Sequence, residues 1–248
     1  MQIESDGFIL HTRPYKETSF LVDVFSKDHG RIKCIAKGYR SSSRKKISGK
    51  LSLFMEYQFL LRGKGELKVI SSSEEIGDAV HFGGERLFVG LYLNELLFHF
   101  LADYDPCSKI YVKYHEVLKS LDSGNSYSPI LRRFELLMLD ELGYGLILDS
   151  EYESGQPVVM SKNYKYIFGL GVTSILNGSE EGNFFSGEEL IGIYNNEFND
   201  LLIDRAARRL LRGVFDFYLE GKQMNSRELY RQYLEGIRNN ASNVRSIK

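Results

Sequence analysis

The spacing of apolar residues changes near residue 80, and this change limits the possible folds more than any other feature of the sequence. Before it, apolar and polar residues alternate in short runs, which is typical of half-buried strands. In "GRIKCIAKG", Ile32, Cys34 and Ala36 would face a core, while the basic residues between them would face solvent. Five short apolar-rich runs precede residue 80 with no helical segment among them, so we expect a small barrel or sandwich.

Beyond residue 80, apolar residues recur at the spacing of helices. This pattern extends from Arg86 to Leu121 and returns from Asp200 to Leu219. The segment "SPILRRFELLMLDELGYG" predicts another helix, with Ser128 as its cap and a glycine as its stop. The second part of the chain is therefore expected to be mainly helical.

Residues 146–183 interrupt the helical pattern with a small β insertion. Here "QPVVMS" and "KYIFGLGVTS" predict a short hairpin. Directly after it, Ser186 and Glu189 have the spacing of a capping box at the start of a helix. We therefore predict an α+β protein with two domains, a β-barrel over 1–80 and a mainly α-helical domain over 81–248 that contains the small β-hairpin insertion.

Charge is distributed unevenly along the chain. The 248 residues carry 32 basic and 33 acidic side chains, a formal net charge of −1. Residues 27–68 alone hold twelve basic and three acidic side chains, a net charge of +9, which leaves −10 for the remainder. A segment so basic in a nearly neutral protein indicates a surface for a polyanion.

The stretch "AKGYRSSSRKKISGKLS" holds six of these cations and no acid. Alone, such a stretch is open to three interpretations: a solvated loop, a targeting signal or a contact for a polyanion. The basic strand "GRIKCIAKG" and the basic hairpin "LLRGKGELK" flank it, and their coincidence favours nucleic acid. The predicted DNA contacts are Arg31, Lys33, Lys37, Arg40, Arg44, Lys45, Lys46, Lys50, Arg62 and Lys64.

Motifs of catalysis and cofactor binding are absent from the sequence. It has no HExxH, no GxSxG and no GxxxxGK[ST], and its two cysteines form no CxxC pair. A metal-dependent nuclease would need clustered acids of a kind that we do not find. We expect a binding protein rather than an enzyme, with no cofactor and no zinc. No apolar run reaches 18 residues, so we expect no membrane span and a cytoplasmic location.

Several stretches, in the same order, resemble the RecO family of bacterial DNA repair and recombination mediators. They are "ILHTRPYKETSFLVDVFSKDHGRIKCIAKGYRS", "LFVGLYLNELL", "LRRFELLMLDELGYG" and "GKQMNSRELYRQYL", and they span nearly the whole chain. The resemblance implies an N-terminal OB-fold and a helical C-terminal domain. It also implies a RecF-pathway role: binding of single- and double-stranded DNA, annealing of complementary strands, and action with RecR on strands coated with the single-strand binding protein SSB, so that RecA is loaded. The location it implies is the cytoplasm, in association with the nucleoid.

The resemblance also bears on zinc. Many members of the family carry a four-cysteine zinc site after the "LGYG" segment, where this chain reads "LILDSEYESGQPVVMSKNYKY". With no cysteine there, the chain resembles the zinc-free branch, and this region must be held by its own hairpin and packing.

A second site follows from the resemblance alone. The helical domain of the family receives the acidic C-terminal tail of SSB, which ends in phenylalanine. We assign this role to Arg132, Arg133, Phe134 and Leu137, because an arginine suits a terminal carboxylate and an apolar slot suits a ring. An internal ion pair between either arginine and a nearby acid, such as Glu135, remains open.

An alternative of another class also remains open. In it, the chain is a protein-interaction scaffold whose barrel binds a protein partner rather than DNA.

Overall fold

Five N-terminal strands close into a barrel. They are β1 (Gln2–Tyr15), β2 (Ser19–Ser26), β3 (Gly30–Ala36), β4 (Glu56–Arg62) and β5 (Lys68–Ile76). They pair in the order β1-β2-β3-β5-β4, and β4 pairs with β1 to close the ring. Since β3 and β5 run parallel and the other pairs antiparallel, this is a Greek-key barrel of the OB type. The predicted fold class is confirmed.

The structure is a computed structural model, and it describes residues 2–38, 51–78, 80–124, 126–175 and 182–245. Within these residues, six helices and a second sheet accompany the barrel. The helices are α1 (Glu85–Phe100), α2 (Ser108–Asp122), α3 (Tyr127–Glu141), α4 (Gly187–Tyr194), α5 (Leu201–Tyr218) and α6 (Asn225–Arg245). The sheet consists of β6 (Asn163–Ile167), β7 (Gly171–Ser174) and β8 (Asn183–Ser186), in the order β7-β6-β8. None of the described helices is long and apolar enough to cross a membrane.

Contacts along the chain divide it into two units. The first contains residues 1–124 and 224–248, and the second contains residues 125–223. The change from strands to helices near residue 80 lies inside the first unit, because α1 packs on β1 and α6 packs on α1.

The barrel core is built from alternate strand residues. On β3, the inward residues Ile32, Cys34 and Ala36 are fully buried, as their spacing predicted. Burial, followed by the nearby charge of Asp23, raises the pKa of the Cys34 thiol to about 12. Cys34 therefore acts as a small apolar core residue rather than as a reactive thiol.

Aromatic rings attach α2 to the barrel, and we call α1, α2 and the segment between them the helical layer. Phe8 and Phe25 are paired across β1 and β2 and point outwards. The ring of Tyr114 on α2 lies 5.1 Å from that of Phe8, and the ring of Tyr111 lies 5.2 Å from that of Phe25. These contacts bury rings that would otherwise be exposed on the barrel surface, and they fix α2 in place.

A buried asparagine supports an irregularity in β1. The register between β1 and β2 shifts between Ile9 and His11, which is a bulge that interrupts the regular ladder. The side-chain amide of Asn94 on α1 donates to the carbonyls of Ile9 and Leu10, each at 3.2 Å. The hydroxyl of Tyr114 in turn donates to Asn94 Oδ1. Asn94 thus satisfies polar groups that are sealed from water.

Local signals set the helix ends in the second unit. The Ser186–Glu189 capping box is present, with Glu189 N–H donating to Ser186 Oγ at 3.1 Å. Helix α3 ends before Gly143, whose φ of +81° suits a residue without a side chain. The prediction that Ser128 caps α3 is wrong, because the helix begins at Tyr127 and Ser128 Oγ donates to the buried carboxylate of Asp204 at 2.7 Å.

The segment that lacks the four cysteines is held by backbone hydrogen bonds. Of the predicted hairpin, "KYIFGLGVTS" forms β6 and β7, whereas "QPVVMS" forms only an isolated bridge between Pro157 and Ser150. Val158 N–H donates to the Asp149 carbonyl at 2.8 Å, next to that bridge. Among the described residues, no group of three or more metal-ligating side chains is arranged to hold an ion.

We expect Asn94→Leu to lower the free energy of unfolding by about 2–4 kcal/mol, because it removes the amide that hydrogen-bonds two buried carbonyls and the Tyr114 hydroxyl. Urea unfolding checks this. The control is Gln58→Ala on the exposed side of β4, which should stay within about 0.5 kcal/mol of the native value. An Asn94→Leu protein as stable as the control would show that the bulge needs no support from Asn94.

Candidate nucleic-acid interface

Five of the ten predicted DNA contacts belong to the described barrel. These are Arg31, Lys33, Lys37, Arg62 and Lys64. The other five lie outside the described residues, namely Arg40, Arg44, Lys45, Lys46 and Lys50. The described part of the predicted site therefore consists of the first group.

The outward side of β3 carries the predicted basic alternation. Lys33 and Ile35 on the strand and Lys37 directly after it follow one another at every second position, with the two lysines exposed. Strand pairing places Ile35 beside Val69 of β5, and Val69 beside Arg62 of β4. Neighbouring strands are about 4.8 Å apart, so Arg62 lies roughly 10 Å from Ile35 on the same surface.

The same register reveals a cation that sequence reasoning missed. Arg13 on β1 pairs with Leu21 of β2, and Leu21 pairs with Ile35. Because paired residues point to the same side, the exposed side chain of Arg13 joins this surface. In the sequence Arg13 stands outside the basic segment, and only the pairing of β1 with β2 would have identified it.

The turn between β4 and β5 adds one cation to the surface and withdraws another. Lys64 is exposed in this turn. Lys68, although it contributes to the basic segment, is buried, and its ammonium donates to the carbonyls of Gly63 and Gly65 at 3.3 and 2.7 Å. Lys68 therefore stabilises the turn and is not available to a ligand.

Arg31 is tied to the helical layer. Its side chain is only 15% exposed, its Nε donates to Asp103 Oδ1 at 2.7 Å, and its Nη1 donates to the Phe98 carbonyl. The guanidinium also lies 5.4 Å from the ring centre of Phe98. Carbonyls in the last turn of a helix have no N–H partner within the helix. The Phe98 carbonyl lies in the last turn of α1, so Arg31 caps the end of that helix.

Lys33 is more open, with a side chain that is 50% exposed, but it is also paired with Asp103. Its Nζ lies 2.6 Å from Asp103 Oδ2. Partial burial alone would raise the pKa of the Asp103 carboxyl, but hydrogen bonds from Lys33 and Arg31, together with their charges, hold that pKa below its usual value. Asp103 is therefore ionised at neutral pH.

We call the outward surface formed by Arg13, Lys33, Lys37, Arg62 and Lys64 the basic face. Within the described part of the chain, only Lys33 of these five has a carboxylate at ion-pair distance. Half-buried apolar side chains of β2, β3 and β5 lie between the cations. The strand 2–3 surface and the strand 4–5 loop are where OB-folds bind oligonucleotides, so the basic face can neutralise phosphates there.

In the second unit, the four residues predicted to bind the SSB tail divide into two pairs. Arg132 is 5% exposed, and its Nη1 lies 3.1 Å from Glu135 Oε2. Phe134 is fully buried in the core. The ion pair that the sequence left open is therefore present at Arg132, and neither Arg132 nor Phe134 is presented to a partner.

Arg133 and Leu137 are half-buried and, being four residues apart, lie on one side of α3. The Arg133 guanidinium is 5.8 Å from the ring centre of Phe198, and its Nη2 donates to the Asn196 carbonyl at 3.4 Å. This long bond leaves most donors of the guanidinium open to a carboxylate.

Helix α5 presents a further basic surface that sequence reasoning did not single out. Its arginines recur at helical spacing on the exposed side, at Arg205, Arg208, Arg209 and Arg212. Arg209 pairs with Glu189, at 3.4 Å between Nη2 and Oε2, and Arg212 Nε lies 3.8 Å from Asp216 Oδ2. The spacing of the four arginines was the signal that could have identified this surface.

Comparison with known proteins identifies the family. A model described as Recombination protein O N terminal matches residues 1–77, and one described as Recombination protein O C terminal matches residues 81–190. Among curated relatives, the DNA repair protein RecO of Klebsiella pneumoniae (strain ATCC 700721 / MGH 78578) is 36% identical over 239 residues, which cover 96% of each chain. The RecO of Tolumonas auensis is 39% identical over 231 residues, covering 93% of this chain and 95% of the relative.

The chain matches both the N-terminal and the C-terminal model, and it matches these relatives over nearly their whole length. Both matches agree with a closed barrel followed by helices. The chain belongs to the RecO family of DNA repair proteins.

Proposed function

We propose that the chain is a recombination mediator of the RecF pathway that binds single- and double-stranded DNA without sequence preference and anneals complementary strands. The observation that carries this proposal is the basic face on the ligand-binding side of an OB-type barrel in a RecO family member. In this proposal the chain acts as a binding protein, without a cofactor, in the cytoplasm and at the nucleoid.

The physical basis is neutralisation of phosphate charge. Lysine and arginine contacts to the backbone carry no sequence information, and their strength falls as salt rises. When phosphates on two strands are neutralised together, the strands repel each other less and base pairing can proceed. Annealing therefore requires no nucleotide hydrolysis, because base pairing supplies the free energy.

We expect the triple substitution Lys37→Ala, Arg62→Ala, Lys64→Ala to weaken binding of a fluorescent single-stranded oligonucleotide about tenfold. The slope of log affinity against log salt is negative, and the loss of three phosphate contacts should make it shallower by about 2. Fluorescence anisotropy over a salt series measures both quantities. The substitution Arg44→Ala, Lys45→Ala, Lys46→Ala tests the predicted contacts outside the described residues in the same way.

The matched control removes three exposed cations elsewhere, with Lys119→Ala, Lys162→Ala and Lys222→Ala. Its salt slope should stay near the native value. If the native chain showed no salt-dependent binding, the scaffold alternative would replace this proposal. If the control weakened binding as much as the triple substitution, the basic face would not be the contact surface.

We further propose that the second unit receives the SSB tail at Arg133 and Leu137. The terminal carboxylate of the tail would accept hydrogen bonds from Arg133, and the terminal phenylalanine ring would pack on Leu137, one helical turn away. With Arg132 paired internally, Arg133 is the arginine of α3 with open donors. Docking of the tail would bring the protein to SSB-coated strands, where with RecR it helps to load RecA.

We expect Arg133→Ala to weaken binding of an acidic peptide ending in phenylalanine about fivefold, since the hydrogen bond that it removes is worth about 1 kcal/mol. Peptide titration measures this. Arg132→Ala should instead lower the free energy of unfolding by about 3–5 kcal/mol, because it leaves Glu135 buried without this counter-ion.

The control for the peptide titration is Arg205→Ala, which removes an exposed arginine from α5. Peptide affinity should not change. Loss of affinity in Arg205→Ala, with full affinity in Arg133→Ala, would move the tail site to α5.

A further inference from the structure

The linker between α1 and α2 brings an acidic residue onto the basic face. The Tyr104 N–H donates to the Arg31 carbonyl at 3.0 Å, and Asp103 forms a parallel bridge with Arg31. Gly30 makes this approach possible, since a Cβ at this position would lie 2.0 Å from the Asp105 carbonyl oxygen. The linker therefore runs directly beside β3.

A second attachment holds the linker in place. The hydroxyl of Tyr104 donates to the Glu66 carbonyl in the turn between β4 and β5. The Lys68 ammonium lies 5.7 Å from the centre of the same ring. Since Tyr104 is hydrogen-bonded both to β3 and to the turn between β4 and β5, the neighbouring Asp103 carboxylate is positioned before any ligand arrives.

The carboxylate of Asp103 makes the contacts that a phosphate would make. One oxygen accepts from Arg31 Nε at 2.7 Å and the other accepts from Lys33 Nζ at 2.6 Å. A backbone phosphate likewise offers two oxygens with one negative charge to such a pair of donors. We propose that Asp103 is an internal phosphate mimic that occupies Lys33 and so limits the affinity of the basic face for DNA.

The proposal rests on the proposed function and adds a limit on DNA affinity at the same site. A tethered carboxylate competes at a high effective concentration, whereas a DNA phosphate must arrive from solution. The half-exposed Lys33 is within reach of DNA, but the exchange of one anion for another gains little free energy. Open cations such as Lys37 and Arg62 then contribute most of the free energy of DNA binding, and Lys33 contributes little as long as Asp103 is paired with it.

The test compares Asp103→Asn with the native chain. The amide keeps the size of the side chain and removes its charge, so Lys33 becomes available. Affinity for a fluorescent single-stranded oligonucleotide should rise about three- to tenfold, and the salt slope should steepen by about 0.7, which corresponds to one phosphate. The matched control is Asp105→Asn, which removes the same charge two residues further along the linker and should leave affinity near the native value.

Lys33→Ala in both backgrounds makes the test specific. It should abolish the gain of Asp103→Asn while changing the native affinity less than Lys37→Ala does. Equal gains in Asp103→Asn and Asp105→Asn would overturn the proposal, as would a gain that persists without Lys33.

If thermal unfolding shows that Asp103→Asn is not folded, the native background still decides. A loss in Lys33→Ala as large as that in Lys37→Ala would show that Lys33 already binds phosphate. Absence of DNA binding by the native chain would instead reject the proposed function, so the two failures can be told apart.

Discussion

The packing of helices α1 and α2 on the outside of the barrel is the constraint on which the rest of the first unit depends. The rings of Phe8 and Phe25 need cover, and Tyr111 and Tyr114 provide it. Asn94 adds hydrogen bonds to the bulged strand at the same interface. Once both helices are fixed, their short connection has to pass beside β3, and this passage determines the electrostatics of the basic face.

The basic residues on and beside the basic face are of three kinds. Arg31 and Lys33 are paired with Asp103, and Lys68 is buried against carbonyls of the turn. The third kind comprises the open cations, Arg13, Lys37, Arg62 and Lys64. The basic segment thus overstates the charge that a polyanion would meet, since part of that charge stabilises the fold.

In the second unit, too, some of the candidate binding residues stabilise the fold instead. Arg132 and Phe134 were attractive candidates by residue type, but a buried ion pair and core packing use them for structure. Arg133, the next residue along the helix, points in a different direction and keeps most of its donors available. A shift of one position on a helix turns a side chain by about 100°, which is enough to exchange a structural role for a binding one.

Sequence alone determined the strand-to-helix order, the inward set of β3, the capping box at Ser186 and the family. These features depend on local spacing or on the order of motifs, and both can be read along the chain. The barrel topology was accessible only through the family resemblance, because pairing between distant strands has no local signal.

Tertiary structure alone decided which charges are open. Asp103 is 70 residues from Lys33 in sequence and 2.6 Å away in space, and Arg13 joins the basic face only through strand pairing. A charge count adds residues that are near in sequence, whereas the field at a surface depends on distances that packing sets. The sequence therefore predicts that a basic face exists, and the fold determines which of its cations can contact a ligand.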